Sequence, residues 1–164
     1  MSQINDTRQV AGTMQRKPDG GSSRLWAAAL PALAGLAVLA QLYGLYRTGG
    51  PPQPELFPGV DKAEHLTGFA VPVALVLIAG WRYRARRGRP VSRGFVGTVL
   101  VLFSLHAVAS ELIQGAFYVW RKGDPLDVVA DLAGIALGWG VFGLVRRRAP
   151  RRGTAAGRPE PARP

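Results

Sequence analysis

The sequence predicts an all-α integral membrane protein, a four-transmembrane-helix bundle with disordered cytoplasmic tails. Two observations support this fold class. The apolar residues of the 164-residue chain fall into four blocks, and 17 of its 21 Lys and Arg residues lie in the tails and in one loop between blocks. A bilayer requires such segregation because a helix needs about 20 consecutive apolar residues to cross the hydrocarbon core. The helices are predicted at about residues 25–46, 61–81, 95–120 and 126–145.

The first predicted helix, 25–46, has a single strongly polar residue, Gln41. Its apolar run is longer than the roughly 7 to 15 residues of a signal-peptide core and ends without a clean cleavage site, so we interpret it as an uncleaved signal anchor. The segment 47–59 is rich in Pro and Gly, which predicts an irregular loop. We expect this helix to contribute little to function beyond Gln41.

The second predicted helix has a short apolar stretch. Residues 66–81 are too few for a bilayer of about 30 Å, so the first turns, 61–65, are expected to enter the membrane boundary. Pro72 is expected to kink this helix, because proline removes a backbone donor and crowds the preceding turn. A basic loop, 82–93, follows it.

The last two helices are joined by a tight turn, 121–125, with the sequence RKGDP. Gly134 and Gly138 in the fourth helix form a G-x-x-x-G step, which is typical of close helix contact in membranes. We interpret 25–145 as one membrane domain. The polar segment 1–23 and the basic segment 146–164 are predicted to be disordered tails.

The distribution of basic residues predicts the orientation. Four Lys and Arg residues precede the first helix, six lie in the loop between the second and third helices, and seven follow the fourth helix. The positive-inside rule places all three segments in the cytoplasm, so we expect a multi-pass protein of the cell membrane with both termini cytoplasmic.

Composition also excludes several functional classes. The net charge of +11 could indicate nucleic-acid binding, but the Arg residues flank apolar blocks and no nucleic-acid motif accompanies them. We therefore expect the lipid bilayer as a partner and no nucleic acid. The absence of cysteine excludes thiol nucleophiles and Cys-ligated zinc. We expect no cofactor, and oligomerisation stays open.

Ionisable and amide side chains are predicted to form one layer near the outer leaflet, because the second and fourth helices begin there and the third ends there. Charged groups inside a bilayer are costly, and they persist when they pair, face the bundle interior or serve a function. The candidate ligand-binding residues of this layer are Asp61, Lys62, His65, Glu111, Gln114, Arg121, Asp127 and Asp131.

Two interpretations of this layer stay open. It is either an ion-paired network that fixes helix register or a site for an envelope ligand. Glu111 and His65 are the candidate catalytic residues if the site performs chemistry. No metal is expected, because no metal-ligand spacing such as H-E-x-x-H occurs. His106 lies deeper and is expected to pack in the core with a backbone, Ser104 or Ser110 partner.

The strings DKAEHLTGF at 61–69 and ELIQGAFYVWRKGDPLDVVADLAGIALG at 111–138 resemble the VanZ-like family of bacterial membrane proteins. The resemblance covers about residues 58–145. Two positions depart from the family pattern: Asp131 stands where Asn is usual, and Leu66 where Phe is common. The positions that match are Asp61, Lys62, His65, Phe69, Glu111, Gln114, Arg121, Asp127, Gly134 and Gly138.

The resemblance implies an envelope protein connected with resistance to the glycopeptide teicoplanin. From it and the polar layer we expect binding of an amphiphilic glycopeptide or a lipid-linked wall precursor at the outer leaflet. The alternative is a small intramembrane hydrolase or transferase acting on a lipid-linked substrate. A proton-coupled carrier ranks lowest, because four helices are few and no repeat between the halves is evident.

Overall fold

The computed structural model describes residues 20–47, 58–119 and 123–149, with side chains from residue 28 onward. Within these ranges the chain is all-α, as predicted. Each of the four helices is long and apolar enough to cross a membrane. Their bounds are α1 Gly20–Tyr46, α2 Val60–Arg86, α3 Arg93–Phe117 and α4 Pro125–Arg148.

Three helices are longer than predicted. Residues 20–23 belong to α1 and residues 146–148 to α4, so the predicted tail bounds were wrong at both ends. The helix α2 continues five residues past Trp81, through a basic segment of good helix formers. Basic residues in the last turn also interact favourably with the negative end of the helix dipole, which favours the extensions of α2 and α4. The rest of both predicted tails lies outside the described residues.

The helix α3 is shorter than predicted and ends at Phe117 rather than at residue 120. The chain folds back against its last turns at Gly123, where an added Cβ atom would lie 2.8 Å from the carbonyl oxygen of Glu111. The helix ends before this return, and Tyr118 after its last residue is extended. Asp124 and Pro125 then start α4: the Asp124 side chain accepts a hydrogen bond from the Leu126 amide, and Pro125 occupies the first turn.

The helix α2 is central to the bundle and packs against α1, α3 and most extensively α4. Its residues Phe69, Val73 and Leu77 are fully buried and form the middle of the core. The predicted close contact at Gly134 and Gly138 is confirmed. A Cβ atom at Gly134 would overlap the carbonyl of Leu66, and one at Gly138 would lie 2.5 Å from the carbonyl oxygen of Ala70.

Large apolar side chains cover the outside of the bundle. Leu36, Leu102, Leu112 and Trp139 are more than half exposed, and they lie on α1, α3 and α4. Apolar faces of this extent suit lipid chains rather than water. Together with the length and composition of the helices, they define a multi-pass membrane protein.

Candidate functional site

The buried polar side chains of α2, α3 and α4 meet at one end of the bundle. His65 lies in the second turn of α2, Glu111 near the end of α3, and Asp127 and Asp131 in the first two turns of α4. All four side chains are more than nine-tenths buried. The predicted convergence of the three helices is therefore found, although a binding role for these residues stays a prediction.

His65 is the centre of this cluster. Its Nδ1 atom lies 2.9 Å from Asp131 Oδ1 and 3.9 Å from Glu111 Oε1. Asp131 is fully buried, and it lies one turn before Gly134, where α4 approaches the backbone of α2. The close helix contact thus brings Asp131 against the imidazole.

The Nε2 edge of the imidazole lies near a group of carboxylates that is more exposed to solvent. His65 Nε2 lies 3.9 Å from Asp61 Oδ1 and 3.8 Å from Asp127 Oδ2. The Lys62 ammonium hydrogen-bonds to Asp61 at 3.1 Å, to Asp124 at 2.7 Å and to Asp127. This lysine holds the pKa of Asp124 below its ordinary value, with help from the backbone amide of Leu126. Lys62 therefore neutralises part of the charge on this side.

The two carboxylate oxygens of Glu111 differ in their hydrogen bonding. Its Oε2 atom accepts a hydrogen bond of 3.1 Å from the Asp124 backbone amide, which ties the start of α4 to the end of α3. Its Oε1 atom is buried and has no hydrogen-bond partner among the described residues, and the same holds for Asp131 Oδ2. Within the part of the chain that the structure describes, no Lys or Arg pairs with Glu111 or Asp131.

The cluster carries more acidic than basic groups. Five carboxyl groups face one lysine and one histidine among the described residues. Such an excess is unfavourable in a low-dielectric interior unless protons, a cation or a cationic ligand offset it. Gln114 is also buried, one turn beyond Glu111, whereas Arg121 lies outside the described residues.

A cavity of about 400 Å³ lies between α1 and α2 and reaches the polar cluster. One part of its lining is charged or polar and includes Gln41, Arg47, Asp61, Glu64 and His65. The remaining lining is mainly small or apolar and is formed by Ala37, Ala40, Gly44, Leu45, Thr67, Gly68, Phe69, Val71 and Pro72.

This cavity was missed from the sequence, because α1 was expected to contribute little beyond Gln41. In the structure α1 forms one of its walls. A signal was present in the sequence: Ala37, Gln41 and Gly44 recur at intervals of three and four residues and so share a helix face. Small residues on a shared face leave room between helices when the facing residue is small too, as Gly68 is.

His106 is partly buried and packs against two aromatic rings. None of the expected partners, a backbone group, Ser104 or Ser110, hydrogen-bonds to its Nε2 atom among the described residues. Its ring lies 5.9 Å from the ring of Tyr46 and 5.8 Å from that of Phe69, between centroids. Its Nε2 atom is buried without a hydrogen-bond partner, and the Ser110 hydroxyl donates to the Ala107 carbonyl instead.

Two sets of donor atoms around His65 have the composition of a metal site. One consists of His65, Glu111 and Asp131, the other of Asp61, His65 and Asp127, and within each set the donor atoms lie within 4.8 Å of one another. The first set draws on three helices, so no local spacing could have indicated it. In the second set, Asp61 and His65 are i,i+4 neighbours on α2, and only Asp127 comes from another helix.

Fold and site together define a class: a four-helix membrane protein with a buried histidine–carboxylate cluster beside an amphipathic cavity. Comparisons with protein-family models, with curated proteins and with solved structures find no match for this chain.

Proposed function

We propose that this chain is a VanZ-like protein of the bacterial cell membrane that binds an amphiphilic glycopeptide or a lipid-linked wall precursor at the outer leaflet. Binding of this kind would contribute to glycopeptide resistance of the teicoplanin type. The observation that supports it best is the cavity between α1 and α2, whose lining changes from apolar to charged where it reaches His65.

The cavity suits an amphiphile for a physical reason. An acyl chain finds apolar contact surface at residues such as Ala40 and Val71, while a polar head group requires partners of the kind offered by Arg47 and Asp61. Both surfaces belong to one cavity of about 400 Å³. That volume suits the first chain segments of a lipid-linked molecule and the group that joins them to the head, with the rest of the molecule lying outside the cavity.

The proposed orientation rests on the basic residues. The polar cluster is at the end of the bundle opposite the loop between α2 and α3; six of the 21 Lys and Arg residues lie in that loop and the adjoining helix ends, residues 82–93. If that loop is cytoplasmic, as the positive-inside rule predicts, the cluster and the polar part of the cavity face the outer leaflet.

Protection of a teicoplanin-sensitive host tests the proposal. We expect Glu111→Ala, Gln114→Ala and Arg121→Ala each to abolish protection at wild-type expression. Leu112→Ala is the matched control, because Leu112 neighbours Glu111 but is 68% exposed on the outside of the bundle. Full protection by all three variants would refute the proposal.

A cavity-filling variant tests independently whether the cavity is the binding site. Gly68 lines the cavity, and a Cβ atom there would meet nothing within 4 Å, so Gly68→Leu fills space without disturbing helix contacts. We expect it to weaken binding of a fluorescent lipoglycopeptide by roughly tenfold or more. Gly97→Leu on the exposed face of α3, where a Cβ atom also meets nothing, should bind as wild type does. Equal affinity of the two variants would argue against the cavity as the binding site.

A second candidate is a small intramembrane hydrolase or transferase acting on a lipid-linked substrate. The observation that favours it is the 2.9 Å contact of His65 Nδ1 with Asp131, which would orient the ring and leave Nε2 to act as a base. Turnover of a purified lipid-linked substrate is then expected, and Glu111→Gln should eliminate it. Unchanged turnover in that variant would exclude Glu111 as the acid or base.

A further inference from the structure

We propose that His65 Nδ1, Glu111 Oε1 and Asp131 Oδ1 bind one divalent metal ion of the zinc or manganese class. This inference goes beyond ligand binding at the cavity and does not depend on it. The three donors come from α2, α3 and α4, so an ion bound there would join the three helices at one point.

The distances between the donors suit an ion. Zinc binds imidazole nitrogen and carboxylate oxygen at about 2.0 to 2.2 Å, so two ligands of one tetrahedral ion are about 3.4 Å apart. His65 Nδ1 lies 2.9 Å from Asp131 Oδ1 and 3.9 Å from Glu111 Oε1, values on either side of that separation. Small side-chain shifts are enough to admit the ion, which would replace the hydrogen bond between His65 and Asp131.

The unpartnered oxygens are a second and independent observation. Glu111 Oε1 and Asp131 Oδ2 are buried, in residues that are 5% and 0% exposed, and accept no hydrogen bond from the residues that the structure describes. A buried carboxylate oxygen without a partner is costly, and a metal ion bound to Oε1 removes that cost at Glu111. Glu111 Oε1 is itself one of the three proposed donors.

The other donor set around His65 is a weaker candidate. Asp61 and Asp127 are both bound to the Lys62 ammonium, which already supplies a positive charge there. Asp61 is also half exposed, so water can satisfy its oxygens. The set on the Nδ1 side has no Lys or Arg partner among residues 20–47, 58–119 and 123–149. The cation is therefore most strongly favoured between His65, Glu111 and Asp131.

The donors also indicate the class of ion. One imidazole and two carboxylates form a mixed nitrogen and oxygen set, which suits zinc and manganese better than the all-oxygen sites typical of calcium and magnesium. The chain has no cysteine, so soft thiolate coordination is absent. Three protein ligands leave a position for water or for a ligand's phosphate or carboxylate.

Metal analysis of the purified full chain tests the proposal. The protein is prepared with an affinity tag that contains no histidine, stripped with a chelator and titrated with ZnCl₂ or MnCl₂ by calorimetry in detergent. We expect one equivalent of at least one of the two ions to bind. His65→Gln, Glu111→Gln and Asp131→Asn should each weaken that binding by about tenfold or more. The last two substitutions are nearly isosteric, and circular dichroism checks that the helices are retained.

The chain offers matched controls. His106→Gln removes the second of its two histidines, and Glu64→Gln removes an exposed carboxylate of α2 that belongs to neither donor set. Both should bind the ion as wild type does. Absence of stoichiometric binding to wild type, equal binding by the three ligand variants, or loss of binding in the controls would each overturn the assignment.

Spectroscopy gives a readout that does not depend on the variants. X-ray absorption of the loaded wild-type protein should show one imidazole among nitrogen and oxygen ligands at about 2.0 to 2.2 Å. Two imidazoles or a sulfur ligand would place the ion elsewhere and contradict the proposal.

Discussion

The polar cluster is organised by two residues with basic side chains, one turn apart on α2. His65 faces inward to Asp131 and Glu111, whereas Lys62 lies nearer the end of the bundle and binds Asp61, Asp124 and Asp127. Lys62 is one-third exposed, and the Asp127 side chain is almost fully buried. Lys62 therefore supplies the charged partner of the buried Asp127 carboxylate.

Substitution of Lys62 tests this role. We expect Lys62→Met to lower the free energy of unfolding by about 1 to 3 kcal/mol, because Asp127 would be left without its charged partner. Lys62→Arg keeps the charge and should retain most of that stability. Thermal or denaturant unfolding in detergent measures both, and a Met variant as stable as the Arg variant would contradict this role.

At this scale the sequence predicted the identity of the clustered residues but not their pairing. The spacing of Asp61 and His65, and of Asp127 and Asp131, indicated which residues share a helix face. It could not indicate that Lys62 would bind three carboxylates while His65 binds Asp131. That choice depends on distances of a few ångströms between separate helices.

Among the helices, the α2–α4 contact determines the site. Gly134 and Gly138 let the two backbones approach, and Asp131 lies one turn before the first of these glycines. A side chain at either glycine would push α4 away from α2, and with it the carboxylate from His65.

Alanine substitutions on α4 measure the importance of this contact. Gly138→Ala is expected to destabilise the protein by about 1 to 3 kcal/mol, because its Cβ atom would overlap the carbonyl of Ala70. Gly140→Ala is the matched control, since a Cβ atom there meets nothing within 4 Å. Equal unfolding midpoints for these two variants in detergent would contradict the account of helix packing.

The presence of each helix could be predicted from the sequence, whereas the residues at which the helices end were predicted less well. Apolar block length determines where a bilayer-spanning helix must be, which is why all four helices were predicted at their observed places. The ends follow local effects instead. Basic residues favour the extensions of α2 and α4, and α3 ends at Phe117, before the chain returns against it at Gly123.

The distribution of basic residues over the whole molecule predicts which side of the membrane each end of the bundle faces. The native chain has no cysteine, so single introduced cysteines report their side of the membrane without background. We expect Val119→Cys, which is 88% exposed beside the polar cluster, to react with an impermeant maleimide on intact cells. Arg89→Cys, exposed in the α2–α3 loop, should react only after the membrane is permeabilised. The reverse pattern would invert the orientation and contradict binding at the outer leaflet.

The class of this protein was predictable from the chain alone: four apolar blocks and the placement of charge predict four membrane helices, and the order of those helices predicts that three polar segments share one level. Helical periodicity and the length of apolar blocks, which a bilayer requires, can be read along a single chain. Two features became visible only in the folded molecule: α1 forms a wall of the cavity, and His65, Glu111 and Asp131 share one set of donor atoms. Both depend on how far apart neighbouring helices pack and how they are rotated, and side chains from separate helices determine those quantities together.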